Sequence, residues 1–379
     1  MKKVSILTLV LALALFFTGC TNGELQIYNA FLKSQDILSM ESDTNISFKL
    51  SGEGLSEENQ VMLEEMAEML NSSKISMNQK MVQNKDKTIA KAKMDMGIDM
   101  AGVKTDMELW VTADMSKDVP EILEVFKLPQ MLMASFGEEN QNKEYIVYDI
   151  NELMESQEAG IDFAEIMDWS KEMQPKLTEF LKEYAENFDS GVKMVESKGS
   201  KTLNNQVVNI YELKLNDESF KSLMRYSVNN LIEDENVMKF MAEYMDIVLS
   251  TVEVSEDEKQ ELNKEIDKMK EELPNIKEGF NKLMDEMDEI NILGEEGIVI
   301  EYAINKEGYI VSEKGFVDLS LDLKDLSAKL KQEEMKGIVK LKIEFDTKVS
   351  NINEGLQIEI PKLTEENSFN IIDLMNSML

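Results

Sequence analysis

The chain has 379 residues, 43% of them hydrophobic, with 74 acidic residues against 40 basic ones and a formal net charge of −34. That charge repels nucleic-acid phosphates and anionic lipid headgroups, so neither a nucleic-acid partner nor a basic membrane-binding face is expected. There is no histidine and only one cysteine, Cys20, which excludes Ser-His-Asp and Cys-His catalysis, Cys/His zinc sites and internal disulfides.

At the start, Met1, Lys2 and Lys3 are followed by an apolar run from Val4 to Phe17 and then Thr18-Gly19-Cys20. This pattern predicts a lipoprotein signal peptide over residues 1–19 that ends in a lipobox. The apolar run is shorter than the roughly 20 residues of a spanning helix. An uncleaved signal anchor is the competing reading. In the lipoprotein reading Cys20 is the first mature residue and the site of lipidation, which places the protein at the cell membrane, lipid-anchored on the extracytoplasmic face. Removing 1–19 takes away two lysines and no acids, so the membrane contact is expected through the lipid on Cys20. Residues 20–26 read as a tether.

A first helix is expected from about Gln26 to Met40, with Ile27, Phe31, Ile37 and Leu38 as its apolar contacts. A strand with Ile46, Phe48 and Leu50 on one parity follows, then a helix from about Ser56 to Asn71, then a strand with Ile75, Met77 and Met81. The clearest signal is a hairpin. Ala90, Ala92, Met94, Met96, Ile98 and Met100 alternate with polar residues, and after Ala101-Gly102 the alternation resumes in Val103, Thr105, Met107, Leu109, Val111 and Ala113. Folding at Ala101-Gly102 sets Met96 opposite Met107, Met94 opposite Leu109 and Asp99 opposite Lys104, with one apolar and one charged face. Ala-Gly is not the favoured turn pair, which leaves a four-residue loop open.

Further strands are expected around 206–215, 297–304, 309–313, 316–323, 337–346 and 356–360. Between them lies a helical insertion at about 217–294. Its first stretch, 217–250, is amphipathic, and Ser255 with Glu258 forms a capping box for the second. Leu262, Ile266, Met269, Leu273, Ile276, Phe280, Leu283, Met287 and Ile290 then keep four-three spacing. Pro274 predicts a kink or break near Glu271–Leu273. This 262–290 stripe fits a helical hairpin packed on the sheet, a homodimer or protein-partner seam, or a lid over a cavity. The tail at 366–379 reads as amphipathic.

Methionine is abundant, at 28 residues. Three explanations compete: core filling alongside Leu and Ile, a deformable apolar cavity, and thioether binding of Cu(I). No phosphate loop, Gly-x-Ser-x-Gly elbow or Asp-x-Asp-x-Asp-Gly loop is present, so no cofactor or metal is expected. A surface hydrolase built on two carboxylates would need a close acid pair that the sequence does not point to.

The lipobox, the early helix and the one-sided strands interrupted by helices together resemble the LolA/LppX group of lipid-binding lipoproteins. The segment Glu301–Val311, followed by 316–323, is similar to that group's mid-sheet hairpins, and Asn353–Leu363 is similar to its final strand running into proline. The chain also resembles uncharacterised clostridial lipoproteins. The resemblance implies an α+β fold: a curved antiparallel half-barrel with helices over its open side, here one domain over 27–365 carrying the insertion. It also implies non-enzymatic binding of a lipid or other hydrophobic ligand. The candidate lining is Met94, Met96, Ile98, Met107, Leu109 and Val111. The alternative is a structural or interaction envelope lipoprotein with a filled core.

Overall fold

Alternation with a period of two runs through most of the chain, and it produces a single sheet. The structure is a computed structural model that describes residues 22–117, 120–149, 173, 176–180, 182–184, 188–237, 239–240, 256–330 and 335–372. Strands β1 (Ser39–Glu53), β2 (Lys74–Gln83), β3 (Ile89–Met100), β4 (Val103–Asp114), β5 (Glu121–Lys127) and β6 (Tyr145–Asp149) form one antiparallel meander. Strands β7 (Val195–Leu203), β8 (Gln206–Leu215), β9 (Leu293–Ile304), β10 (Ile310–Asp322) and β11 (Ile338–Ser350) form a second. The meanders join where β11 pairs with β1, Leu50 opposite Leu341 and Thr44 opposite Thr347. A short strand β12 (Ser368–Asn370) adds to β6 in parallel. The result is a twelve-stranded, curved, unclosed sheet packed with helices, an α+β half-barrel.

The β3–β4 hairpin has the register read from its alternation, Met96 opposite Met107 and Asp99 opposite Lys104. Its loop is two residues long. Ala101 (φ 52°) and Gly102 (φ 83°) are both left-handed, as a primed hairpin turn requires.

Helix α1 (Asn22–Ser34) begins inside the segment read as a tether and ends before Ile37 and Leu38. Glu24 accounts for the early start. It is 2% exposed, and its carboxylate accepts 3.1 Å hydrogen bonds from the backbone N–H groups of Met194 and Val195 at the start of β7. Ile27, Tyr28 and Ala30 of α1 pack with Leu213, Leu215, Ile298 and Ile304, and Phe31 meets Tyr302 edge-on at 5.8 Å. This is the main core, and it lies on one face of β8–β10.

Helix α2 (Glu57–Asn71) starts at Ser56, whose side chain accepts from Asn59 N–H. It lies against the end of β1, where its last residue, Asn71, bonds both the N–H and the C=O of Leu50. Met62 (55% exposed) and Met66 (50%) face outward. Helix α3 (Asp217–Glu233) packs on α4 (Glu256–Met287) as an antiparallel hairpin through Met224, Val228, Phe280 and Met284. Arg225 bridges Asp285 and Asp288 at 2.8 Å each, and Asn229 and Asn281 exchange two amide hydrogen bonds. The helix continues through Pro274 without the expected break, and Lys277 pairs with Glu233 one turn beyond it. The side chains of Leu262 and Ile266 and the Ser255 cap lie outside the described residues.

Helix α5 (Leu323–Leu330) follows β10. Residues 309–313 and 316–323 prove to be one strand, β10, with a bulge between Ile310 and Ser312. Residues 356–360 are not a strand. Both edges of β11 are taken, by β1 and β10, so the chain leaves the ladder. It crosses the sheet's charged face as an extended strap, half-burying Ile358 and Ile360 on alternate positions. The expected 366–379 tail contributes β12, and residues 373–379 lie outside the described set.

Gly315 marks a close strand approach, since a Cβ there would sit 2.1 Å from the Val299 carbonyl oxygen. Gly315→Ala is therefore expected to cost about 1–3 kcal/mol through overpacking. A lowered urea midpoint with an unchanged m-value is the expected result.

Candidate functional site

Because the pairings from β9 across to β4 keep their parity away from the β9–β10 bulges, side chains on one face line up in rows across the sheet. One row reads Ile300, Gly315, Phe345, Ile46, Ile75, Ile98 and Thr105. The next reads Tyr302, Glu313, Thr347, Thr44, Met77, Met96 and Met107. A third carries Val349, Ser42, Gln79, Met94, Leu109, Phe126 and Ile146. Strands lie about 4.8 Å apart, so the span from Glu313 to Met107 is roughly 24 Å.

All six residues of the expected lining fall on this face. Met94 opposes Leu109, Met96 opposes Met107, Ile98 opposes Thr105 and Ala92 opposes Val111. All six are half-buried, whereas the α1 core covers Leu213, Leu215, Ile298 and Ile304 almost completely. Cys20 lies outside the described residues. Among the described residues no helix is long and apolar enough to cross a membrane, and no group of three or more acids is placed to hold a metal.

The opposite face has different chemistry. Asp43, Asn78, Asp95, Glu108 and Lys127 form one row, and Glu41, Lys80, Lys93 and Trp110 form its neighbour. These charges neutralise one another. Lys80 meets Glu41 at 2.6 Å, Lys93 meets Asp95 at 2.8 Å and Glu108 at 3.1 Å, and Asn78 donates to Asp43 at 2.7 Å. Burial works against the charge on Glu108, but Lys93 and Lys127 outweigh it and hold this carboxyl below its usual range. Lys93 also lies 5.2 Å over the Trp110 ring. Between this face and the strap at Gln357–Lys362 is a groove of about 680 Å³.

Glu313 has no such compensation. It is the one charged residue in the three rows named above, and Glu124, opposite Val111, lies further along the same face. Its neighbours are Tyr302 on one side and Thr347 on the other, and Thr347 shares a 2.9 Å hydroxyl–hydroxyl hydrogen bond with Thr44. Among the described residues no hydrogen-bond donor or cation reaches the Glu313 carboxylate, and burial pushes its pKa up. Tyr302 is pushed up as well, by burial first and by the charge of Glu313 second. The sequence reading missed Glu313 because the bulge at Ile310/Ser312 reverses parity. Counted back from Val317 and Leu319 instead, position 313 falls on the apolar face.

Comparison with known proteins adds little. No protein-family model matches the chain. No curated protein matches it either. Among solved structures, a DUF1329 family protein from Desulfovibrio piger aligns over 89% of this chain and 96% of that one, at 9% identity and a TM-score of 0.20. A likeness that loose carries no argument.

A carboxylate with a raised folded-state pKa binds its proton more tightly in the folded protein. Its stabilising effect is complete at acid pH and is lost as pH rises through the raised pKa. Glu313→Gln mimics the protonated form. It should match the parent in melting temperature near pH 4 and exceed it at pH 8.

Proposed function

We propose that the chain is an extracytoplasmic lipoprotein, anchored in the membrane through a lipid on Cys20, that binds a lipid or other hydrophobic ligand without catalysis. The observation that carries this reading is the apolar face of β2–β4. Met77, Met94, Met96, Ile98, Met107 and Leu109 are adjacent and only half-buried, on a sheet whose main core lies over other strands. Burial of apolar area supplies the driving force, at about 25 cal/mol per Å² before the costs of association. Methionine suits such a surface, because its flexible, polarizable side chain adapts to ligands of different shape.

A second reading, a protein-interaction role, draws on a different observation. Ile276 (47% exposed) and Leu283 (45%) lie seven residues apart on α4 and face away from α3. That stripe would serve a homodimer or a partner helix.

Native mass spectrometry of the chain from Thr21 onward separates the two, because every described element begins at Asn22 or later. Co-purifying lipid is expected. Changing both Met96 and Met107 to Glu should remove that lipid while leaving a cooperative melt. Unchanged lipid content in the double variant would sink the assignment, and a lipid-free dimer would support the second reading.

A further inference from the structure

We propose that the polar end of the methionine row is a headgroup site, in which Glu313 and the adjoining Thr347–Thr44 hydroxyl pair receive the protonated amine of a single-chain amphiphile whose tail lies along Met77, Met96 and Met107. The proposal rests on the apolar-face reading above and adds the class of ligand to it.

Register supplies the geometry. Glu313, Thr347, Thr44, Met77, Met96 and Met107 occupy consecutive strands in one row, so a ligand laid across the strands meets a carboxylate, then two hydroxyls, then thioethers. Several other acids withdrawn from water in this protein are satisfied. Glu24 accepts two backbone N–H groups, Asp217 holds Lys221 and the N–H groups of Ile292 and Leu293, and Glu108 holds Lys93 and Lys127. Glu313 lies between Tyr302 and Thr347 with no donor or cation supplied to it among the described residues, and a half-buried carboxylate in that state is costly unless a partner arrives.

An ammonium group brings three donors and no acceptor, which matches one carboxylate and the two oxygens of the threonine pair. It also brings the opposite charge to a chain with a net charge of −34, so its approach is favoured at long range. A carboxylate head would meet like charge. A hydroxyl head could form one of these hydrogen bonds but gains nothing from the charge.

The test uses the chain from Thr21, freed of lipid, titrated calorimetrically at pH 7 with dodecylamine, dodecanol and dodecanoate below their micelle concentrations. The amine should bind at least about tenfold more tightly than the carboxylate, as expected for a charge-assisted hydrogen bond. Glu313→Gln should weaken amine binding by about tenfold and leave dodecanol unchanged. Thr347→Val should weaken the amine by a few-fold, a check that does not depend on the Glu313 variant. If Glu313→Gln leaves the amine-to-carboxylate ratio unaltered, or weakens all three probes equally, the headgroup site is overturned while the apolar-face reading stands. If no probe binds the unsubstituted chain, the apolar-face reading itself fails and the headgroup site falls with it.

Discussion

The rest of the structure depends on one constraint: parity is conserved from strand to strand. A slip of one residue in any pairing would move that strand's apolar set to the other side. From β9 to β4 no such slip disrupts the central rows, so Ile300 at one end and Thr105 at the other stay on the same face across seven strands. This allows twelve short segments with modest individual hydrophobicity to act as a single two-sided surface. The bulges are confined to the ends of β9–β10 and to the edge pair β7–β8, where a local change of direction does not disturb the central rows.

The helices respect that division. α1 closes the apolar face at β8–β10, and α2 closes one end of β1. α3 and α4 leave the chain between two neighbouring strands, β8 and β9, and pack mainly against each other, so the long insertion enlarges the core without interrupting the ladder. On the other face lysines and acids pair, and the C-terminal strap passes over them. The two faces therefore handle charge in opposite ways. One neutralises many charges locally, and the other holds Glu313 with nothing beside it, among the described residues, to neutralise it.

The sequence made legible whatever had one dry and one wet side. The β3–β4 hairpin could be placed to the residue because Met94, Met96, Met107 and Leu109 alternate with charges. Strand β7 could not, because Glu196 to Thr202 are exposed on both sides of a sheet edge and carry no alternation. The segment at 356–360 misled for the opposite reason. Leu356, Ile358 and Ile360 do alternate, but the side they bury rests on a sheet face, and alternation does not say whether the backbone is paired. The first helix was placed four residues late because Glu24 looks like a solvent residue until its two backbone donors from β7 are known. Glu313 is hidden for a different reason: a bulge cannot be read from residue types.

The join between β1 and β11 has a consequence for how the molecule is made. Thr44 and Thr347 are 303 positions apart in the chain, yet they sit at the centre of the sheet. Loops that long close slowly, and topologies dominated by such distant pairings fold slowly for their size. The first meander therefore has to wait, with the edge of β1 unpaired, until almost the whole chain has emerged. During that wait it presents a methionine-rich strand surface to any other unfinished copy nearby. Protection of the nascent chain, more than the stability of the finished fold, is the demand this architecture makes.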